Sequence, residues 1–562
     1  MKTKIFASLT LSAAAVIGLT GCLDEVQPSG STITQEQLNS SVKAGSATLY
    51  AMPTTILKSS SDASDWHGDF GYPAMMMIRD AMTGDMTVNV NGTSYDHLAA
   101  YAQLRSMGEG HFYPQRIWNY YTTLVLSANK GAQAFPEDVE EPQAMGCRAL
   151  ALAFRAMAYL DMARWFEYLP CEGTSPNLDS TEDDGTSNRS VLNLTVPIVT
   201  EKTTDTEAAN NPRATRTQMA EFIKGDLEYA TEHIANCPDE FKTNEFPNLA
   251  VVYGLYARLY MWLEDYGKAK EYADMAIAES RRSPLTEAQW TNPSTGFNNA
   301  AANPSWMWSA QLTSENRAVT TGICNFTSFM SAEAKYGYAN VGAHRDIDWK
   351  MYQRISDTDF RKLSWMPHSG LGLLAKIQLA GGVNLLTFRN KFKLSQIKFR
   401  PGQGEIDDYL TGSATAIPLM RMEEMSFISI EAQAHLNAAE GKNQIEAWMK
   451  AYRDPNYTCK VSSQEDIIEE IIFQKRVEFW GEGQTLFDIK RLNYSVTRGY
   501  EGTNWYEAAR FNTNGRPAWM NMVIVMTEGN SNAGVRGWNN PGFMDAYETI
   551  KDADVKFNKG NW

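Results

Sequence analysis

A chain of 562 residues is long enough for several domains or for one large helical array, and a 43% hydrophobic content is ample for a core. A net charge of −15 argues against a nucleic-acid partner, whose phosphates require a basic face. Fifteen Trp and 25 Tyr are abundant enough that some are expected on loops, where amphipathic rings serve binding.

Lys2 and Lys4 precede an apolar run from Ile5 to Leu19, too short to span a bilayer and typical of a signal-peptide core. It ends in Leu19-Thr20-Gly21-Cys22, a bacterial lipoprotein box. Small residues there suit the signal peptidase, and Cys22 takes lipid on its sulfur and its new N-terminus. Residues 1–21 are read as the removed signal peptide and 22–35 as a lipid-anchored tether carrying Pro28, Ser29 and Gly30. Several acyl chains on one residue hold a protein to a membrane where a single chain does not. No later apolar run has transmembrane length. Cys147, Cys171, Cys237, Cys324 and Cys459 are odd in number and irregular in spacing, without a CxxC or zinc pattern. One disulfide fits an exported protein, but the spacing does not name it.

Residues 36–280 read as a helical region. Leu38, Val42 and Leu49 line one side of a helix over 35–52, and Met75, Met76, Ile78 and Met82 mark another whose methionines suit soft core filling. Val88 to Pro114 reads as irregular, with a turn at Asn91-Gly92. Gln115 to Ala134 and the alanine-rich Gln143 to Tyr168 are long helices. The acidic loop Leu178 to Ser190 misses the EF-hand spacing at Asp179, Asp183 and Asp184, and reads as solvated. Pro212 to Ala235 and Pro247 to Ser280 are helical again. In the latter, Tyr253-Gly254, Tyr256-Ala257, Tyr260, Tyr266-Gly267 and Tyr272-Ala273 alternate small residues with Tyr, as in a tetratricopeptide hairpin. With 417–455 added, about four degenerate helix pairs are expected, stacked as a superhelix.

Residues 281–562 form a loop-rich segment followed by a C-terminal helical region. Asn292-Pro293, Asn303-Pro304, Gly381-Gly382 and Pro401-Gly402 punctuate 281–416, while Trp306, Trp308 and Leu385 to Phe388 read as short strands. Long loops on a rigid scaffold are where binding is usually placed. Helix is expected to return at Ile417, with Arg421 and Glu424 spaced to pair. Ser462 and Glu465 form a capping box for a helix along Ile468, Ile472 and Phe479, stopped by Gly481 and Gly483. Glu478, Glu482, Asp488 and Arg491 sit among apolar residues, so ion pairing within the core is the expected use, since a lone buried charge is costly. The tail after Arg491 is expected to wrap the helical body.

The chain has no His-Glu-x-x-His, Gly-x-Ser-x-Gly, P-loop or Gly-x-Gly-x-x-Gly. No enzyme and no cofactor are expected. A surface glycan hydrolase with a carboxylate pair and a peptide-binding adaptor remain as alternative classes.

The stretch Glu478-Phe479, Glu482-Gly483, Phe487-Asp488 and Arg491 resembles the C-terminal signature of the SusD/RagB family of outer-membrane nutrient-binding lipoproteins, departing from it at Gln474, Lys475, Thr485 and Leu492. Arg421, Glu424, Ile428, Glu431 and Ala432 are similar to a second motif of that family. Asp24 and Glu25 resemble the export signal of Bacteroidetes surface lipoproteins. The resemblance implies a mainly α, tetratricopeptide-like fold with a large loop-rich insertion and a few short strands. It implies a lipoprotein held at the outer membrane through Cys22, facing the cell exterior. Such a protein lids a SusC-like TonB-dependent transporter, capturing an oligosaccharide or polysaccharide, less often a peptide, for import. Sugar rings pack their C–H faces on Trp and Tyr while amides and carboxylates bond the hydroxyls. The family's ligand loops match Val88 to Phe112 and Trp290 to Trp349. The candidates are Tyr95, His97, Tyr101, Trp290, Phe326, Tyr336 and Tyr338, with Trp66 outlying; core packing is at least as common a use of each.

Overall fold

The computed structural model describes residues 45–58, 68–88, 97–171, 190–298, 303–370, 372–543 and 547–551. Cys22, Trp66, Tyr95 and the acidic residues Asp179, Asp183 and Asp184 lie outside them, as do residues 35–44 of the first expected helix; within its described part residues 47–50 form a turn, and a separate helix runs from Ala51 to Ile56.

α1 (Tyr72–Ala81) is buried along its whole length. α2 (Phe112–Ala134) packs on α3 (Pro142–Phe166), and α3 packs in turn on α4 (Arg216–His233). α3 starts where Glu141 accepts a hydrogen bond from the Ala144 amide at 2.6 Å, with Pro142 in the first turn, where its missing N–H costs nothing. Ala149, Ala151, Ala153, Ala156, Ala158 and Ala163 are all buried. Small residues on every side of this helix let its neighbours approach closely, and it becomes the central rod. α5 (Leu249–Leu263) and α6 (Tyr266–Ser280) form the tetratricopeptide-like hairpin that the Tyr and small-residue pattern predicts. Glu264 turns the chain at φ +60°, and Asp265 caps α6 by accepting from the Lys268 amide at 3.1 Å.

The next helix in space is not the next in sequence. α7 (Met422–Leu436) packs on α6 across an excursion of residues 281–421, and α8 (Ala438–Tyr452) and α9 (Gln464–Glu478) pack on α7. α10 (Thr485–Leu492) follows and touches α1, near the other end of the chain. One hydrophobic cluster runs through body and excursion, from Leu49 to Phe543. The excursion is bracketed by two small antiparallel sheets. β1 (Met86–Val88) pairs with β3 (Arg345–Ile347), Met86 opposite Ile347. β2 (Trp306–Gln311) pairs with β4 (Ala416–Arg421), Trp306 opposite Arg421, with an irregular register around Trp308.

Several local expectations change. Ile417 begins no helix: residues 416–421 are β4, because they pair with the Trp-rich β2, and the helix starts at Met422. Leu385 to Phe388 form no strand but a helix, Leu385–Lys391, started by Asn384, which accepts from the Thr387 amide at 3.0 Å. The cap of α9 is Ser463, not Ser462, and it accepts from the Asp466 amide at 3.1 Å. The segment from Val88 to Pro114 holds the end of β1, a helix His97–Ala102 and the start of α2. Cys147, Cys237 and Cys459 form no disulfide among the described residues. The tail lies across the body: Trp519 donates to the Met82 carbonyl at 2.9 Å, and Arg213 to Asn540 Oδ1 at 2.9 Å. No described helix is long and apolar enough to cross a membrane.

Two glycines separate packing from propensity. A Cβ on Gly146 of α3 would lie 2.3 Å from the backbone nitrogen of Cys237, whereas one on Gly225 of α4 would meet nothing within 4 Å. Gly146→Ala is expected to lower stability by about 1–3 kcal/mol through forced backbone shifts. Gly225→Ala should raise it by about 0.5–1 kcal/mol through helix propensity. Urea denaturation midpoints of the two variants check both signs.

Candidate functional site

The excursion is bolted to the helical body by buried charge. Glu478, at the end of α9, accepts from Arg453 at 2.8 and 2.9 Å, and from Arg421 and Arg361 at 3.2 Å each. Glu482 accepts from Arg421 at 2.8 and 3.0 Å and from Lys398 at 2.6 Å. Arg361 and Lys398 belong to the excursion, Arg421 to β4, and Arg453 to the end of α8. All of these side chains are essentially inaccessible to solvent. The expected Arg421–Glu424 pair does not form. Arg421 lies on the strand side of the β4–α7 junction and reaches Glu423, Glu478 and Glu482, while Glu424 binds Arg258 of α5 at 2.5 and 2.7 Å. Asp488 and Arg491 of α10 form a second cluster with Glu431 and Lys475: Lys475 meets Asp488 at 2.8 Å, and Arg491 bonds Glu431 and Asp488.

This framework captures several of the aromatic candidates. Trp290 is 1% exposed; its indole N–H donates to Ser364 Oγ at 2.8 Å, and Lys398, Arg421 and Arg453 lie 5.1–5.7 Å from its ring centre. Phe326 packs edge-on against Phe399 at 5.0 Å, and Tyr338 against Phe329 at 4.8 Å, both buried. Tyr101 is fully buried against Tyr113, to whose carbonyl it donates at 3.2 Å. As placed, these four rings offer no face to a ligand, because the core needs their area. His97 opens the short helix His97–Ala102, and its side chain is outside the described atoms.

Tyr336 differs. Its half-buried ring meets Tyr409, 37% exposed, at 6.4 Å and 66°, making a corner open to solvent. The backbone of Gly412 permits this, since a Cβ there would lie 2.5 Å from the Tyr336 hydroxyl. Ser413 Oγ donates to that hydroxyl at 3.3 Å, and burial pushes the phenol above its ordinary pKa, so it stays protonated. Asp408 caps the turn carrying Tyr409, accepting from the Leu410 amide at 3.1 Å and the Thr411 hydroxyl at 2.7 Å. Beside the rings, exposed Lys335 and Asp407 pair at 2.8 Å, and the Lys335 amide donates to the Ile406 carbonyl at 2.9 Å. Two rings set at an angle and flanked by exposed charge offer stacking faces and hydrogen bonds to one flat, hydroxyl-rich ligand. A second platform lies elsewhere in the excursion: half-buried Trp349 stacks near-parallel with Tyr352 at 6.1 Å and stands 4.8 Å from exposed His368. Sequence reasoning passed over Tyr409 and His368; for Tyr409 the available signal was the turn run Asp407-Asp408-Tyr409 after Pro401-Gly402.

The sequence model of the SusD family matches residues 285–557. Over those residues the chain is similar to the SusD family. Its fold is that of solved SusD-like structures. A SusD-like carbohydrate-binding protein from Bacteroides vulgatus is 20% identical with a TM-score of 0.65, over 88% of this chain and 96% of that one. A SusD superfamily protein from Bacteroides thetaiotaomicron is 15% identical with a TM-score of 0.63, over 89% and 99%. A laminarin-binding SusD-like protein is 14% identical with a TM-score of 0.59, over 89% and 99%. At these identities the likeness establishes the fold. No curated protein sequence matches the chain.

The region matched by the SusD family contains both charge clusters, and two of its four departures from the family signature, Gln474 and Lys475, take part in them. Gln474 accepts from Arg361, and Lys475 pairs with Asp488. Burial alone would raise the Glu478 carboxyl, but Arg453, Arg421 and Arg361 outweigh it and hold the group well below the usual carboxylate range. Its contribution is therefore complete above the unfolded-state value of about 4.3 and is lost as pH falls below it. Glu478→Ala should cost about 3–5 kcal/mol, since it removes the carboxylate that three buried guanidinium groups share. Glu478→Gln should flatten the loss of stability below about pH 4. Denaturant titrations at pH 7 and through the acid range test both.

Proposed function

We propose that the chain is a glycan-binding lipoprotein of the cell surface, anchored to the outer membrane through Cys22. It captures an oligosaccharide at the excursion's exposed aromatics and passes it to a SusC-like TonB-dependent transporter. The observation that carries this reading is the Tyr336–Tyr409 corner: two rings at 66°, partly exposed and flanked by Lys335 and Asp407, on an excursion bolted to a rigid body. The laminarin-binding protein of the same fold supports the ligand class. Trp349 and His368 would serve a longer chain as a second stacking platform. Binding without turnover accords with a sequence that carries none of the hydrolase motifs sought in it.

Titration calorimetry of residues 23–562 against laminarin and a panel of polysaccharides and peptides, with products checked in the same tubes, tests this. Saturable binding without cleavage is expected, and Tyr409→Ala or Tyr336→Ala should weaken it about tenfold, the value of roughly one stacking contact. Unchanged affinity in both variants would remove the corner from the site. Glycan cleavage would overturn the binding-only role, and selective peptide binding would overturn the ligand class.

A further inference from the structure

A cavity of about 60 Å³ lies between the helices of the body, walled by α1, the end of α3, α5, α7 and α10. One water needs roughly 10–15 Å³, so this space admits a few waters or one small ion. Eight Arg and Lys side chains line it against five Asp and Glu. Some of these are fully engaged, as Arg258 is with Glu424 and Arg421 with Glu478 and Glu482.

Others are not. Arg79 is 2% exposed and bonds Asp161 and Tyr121 through Nη1, but its Nε finds no acceptor among the described residues. Arg164 Nε and Arg491 Nη1 are in the same position. Arg216 donates through Nη2 to the Trp262 carbonyl, and its nearest carboxylate contact, to Glu167, is 3.5 Å long. Lys490 meets no carboxylate at ion-pair distance among the described residues; it donates to the carbonyls of Arg164 and Trp165, at 2.8 and 3.1 Å. Burial, opposed by Glu167 and reinforced by Arg516, pushes its ammonium down to about 7. Arg164, Arg216 and Gln484 are half-buried and give the cavity an approach from solvent.

A buried guanidinium N–H without an acceptor is costly. An oxyanion presents several acceptor sites on one charged centre, so it satisfies several such donors with charge-assisted bonds. A neutral sugar hydroxyl supplies acceptors but no compensating charge. We propose that this cavity is a binding site for a small oxyanion: phosphate, sulfate or a carboxylate group. It is separate from the Tyr336–Tyr409 corner and does not depend on the glycan reading.

The test uses residues 23–562 exchanged into chloride and titrated calorimetrically with sulfate, phosphate and acetate at matched ionic strength. At least one should bind saturably, and it should raise the melting temperature by about 1–2 °C over matched chloride. Tetrahedral and carboxylate sources are told apart by which titrant binds. Arg164→Gln and Arg216→Gln should each weaken binding about tenfold, as expected for one charge-assisted bond, while the exposed Arg317→Gln should not. Sulfate, whose charge is constant over this range, should bind more weakly at pH 8.5 than at pH 6 as Lys490 loses its proton. Binding of none of the three above the chloride control would overturn the proposal. So would variants at Arg164 and Arg216 that keep their fold, judged by circular dichroism, and bind as the parent does.

Discussion

Everything outside the helical body depends on one buried carboxylate. Glu478 ends α9, and the three guanidinium groups that bond it come from the excursion, from β4 and from the end of α8. The pull is electrostatic, but its specificity is geometric. Each guanidinium must leave water for a fixed acceptor, and a misplaced segment would strand a charge in the core. Aromatic rings complete the enclosure: Trp290 lies near Lys398, Arg421 and Arg453, and Phe479 lies 4.6 Å from Arg421.

This arrangement divides the aromatic residues into two populations. Rings near the charge cluster are consumed as packing and cation-π partners, so Trp290 and Phe326 are unavailable to a ligand although they lie in the loop-rich segment. Rings farther out, at Tyr336, Tyr409 and Trp349, stay partly exposed because turns hold them from below through Gly412, Asp408 and Asp348. An exposed ring on such a turn loses little freedom when it meets a flat ligand, and that favours binding. The excursion can be long and irregular without being loose, because its roots are anchored at Arg361, Lys398 and Arg421.

The legibility of the chain follows from the range of the interactions involved. Helices with strong apolar or alanine periodicity, such as α3 and the α5–α6 pair, were readable because their burial is written in residues three and four apart. The charged residues set among apolar ones were readable as a buried network for a similar reason: unpaired they would be prohibitively costly. Their partners were not readable. Arg421 and Glu424 have the spacing of a helical pair, yet a strand–helix junction falls between them and sends each to a different partner. Pairing of β4 with β2, more than 100 residues apart, overrode the local helical pattern at Ile417.

The sequence alone therefore determined the helical class, the presence of a long interruption and the need for a charged core, because each rests on composition or on short spacing. The tertiary structure decided which helix follows α6, which arginine meets which carboxylate, and which aromatic rings reach solvent. Those choices depend on segments brought together from across the whole chain. A ring of given type in a loop is packed or presented according to the charge beneath it, and residues near it in sequence do not specify that charge.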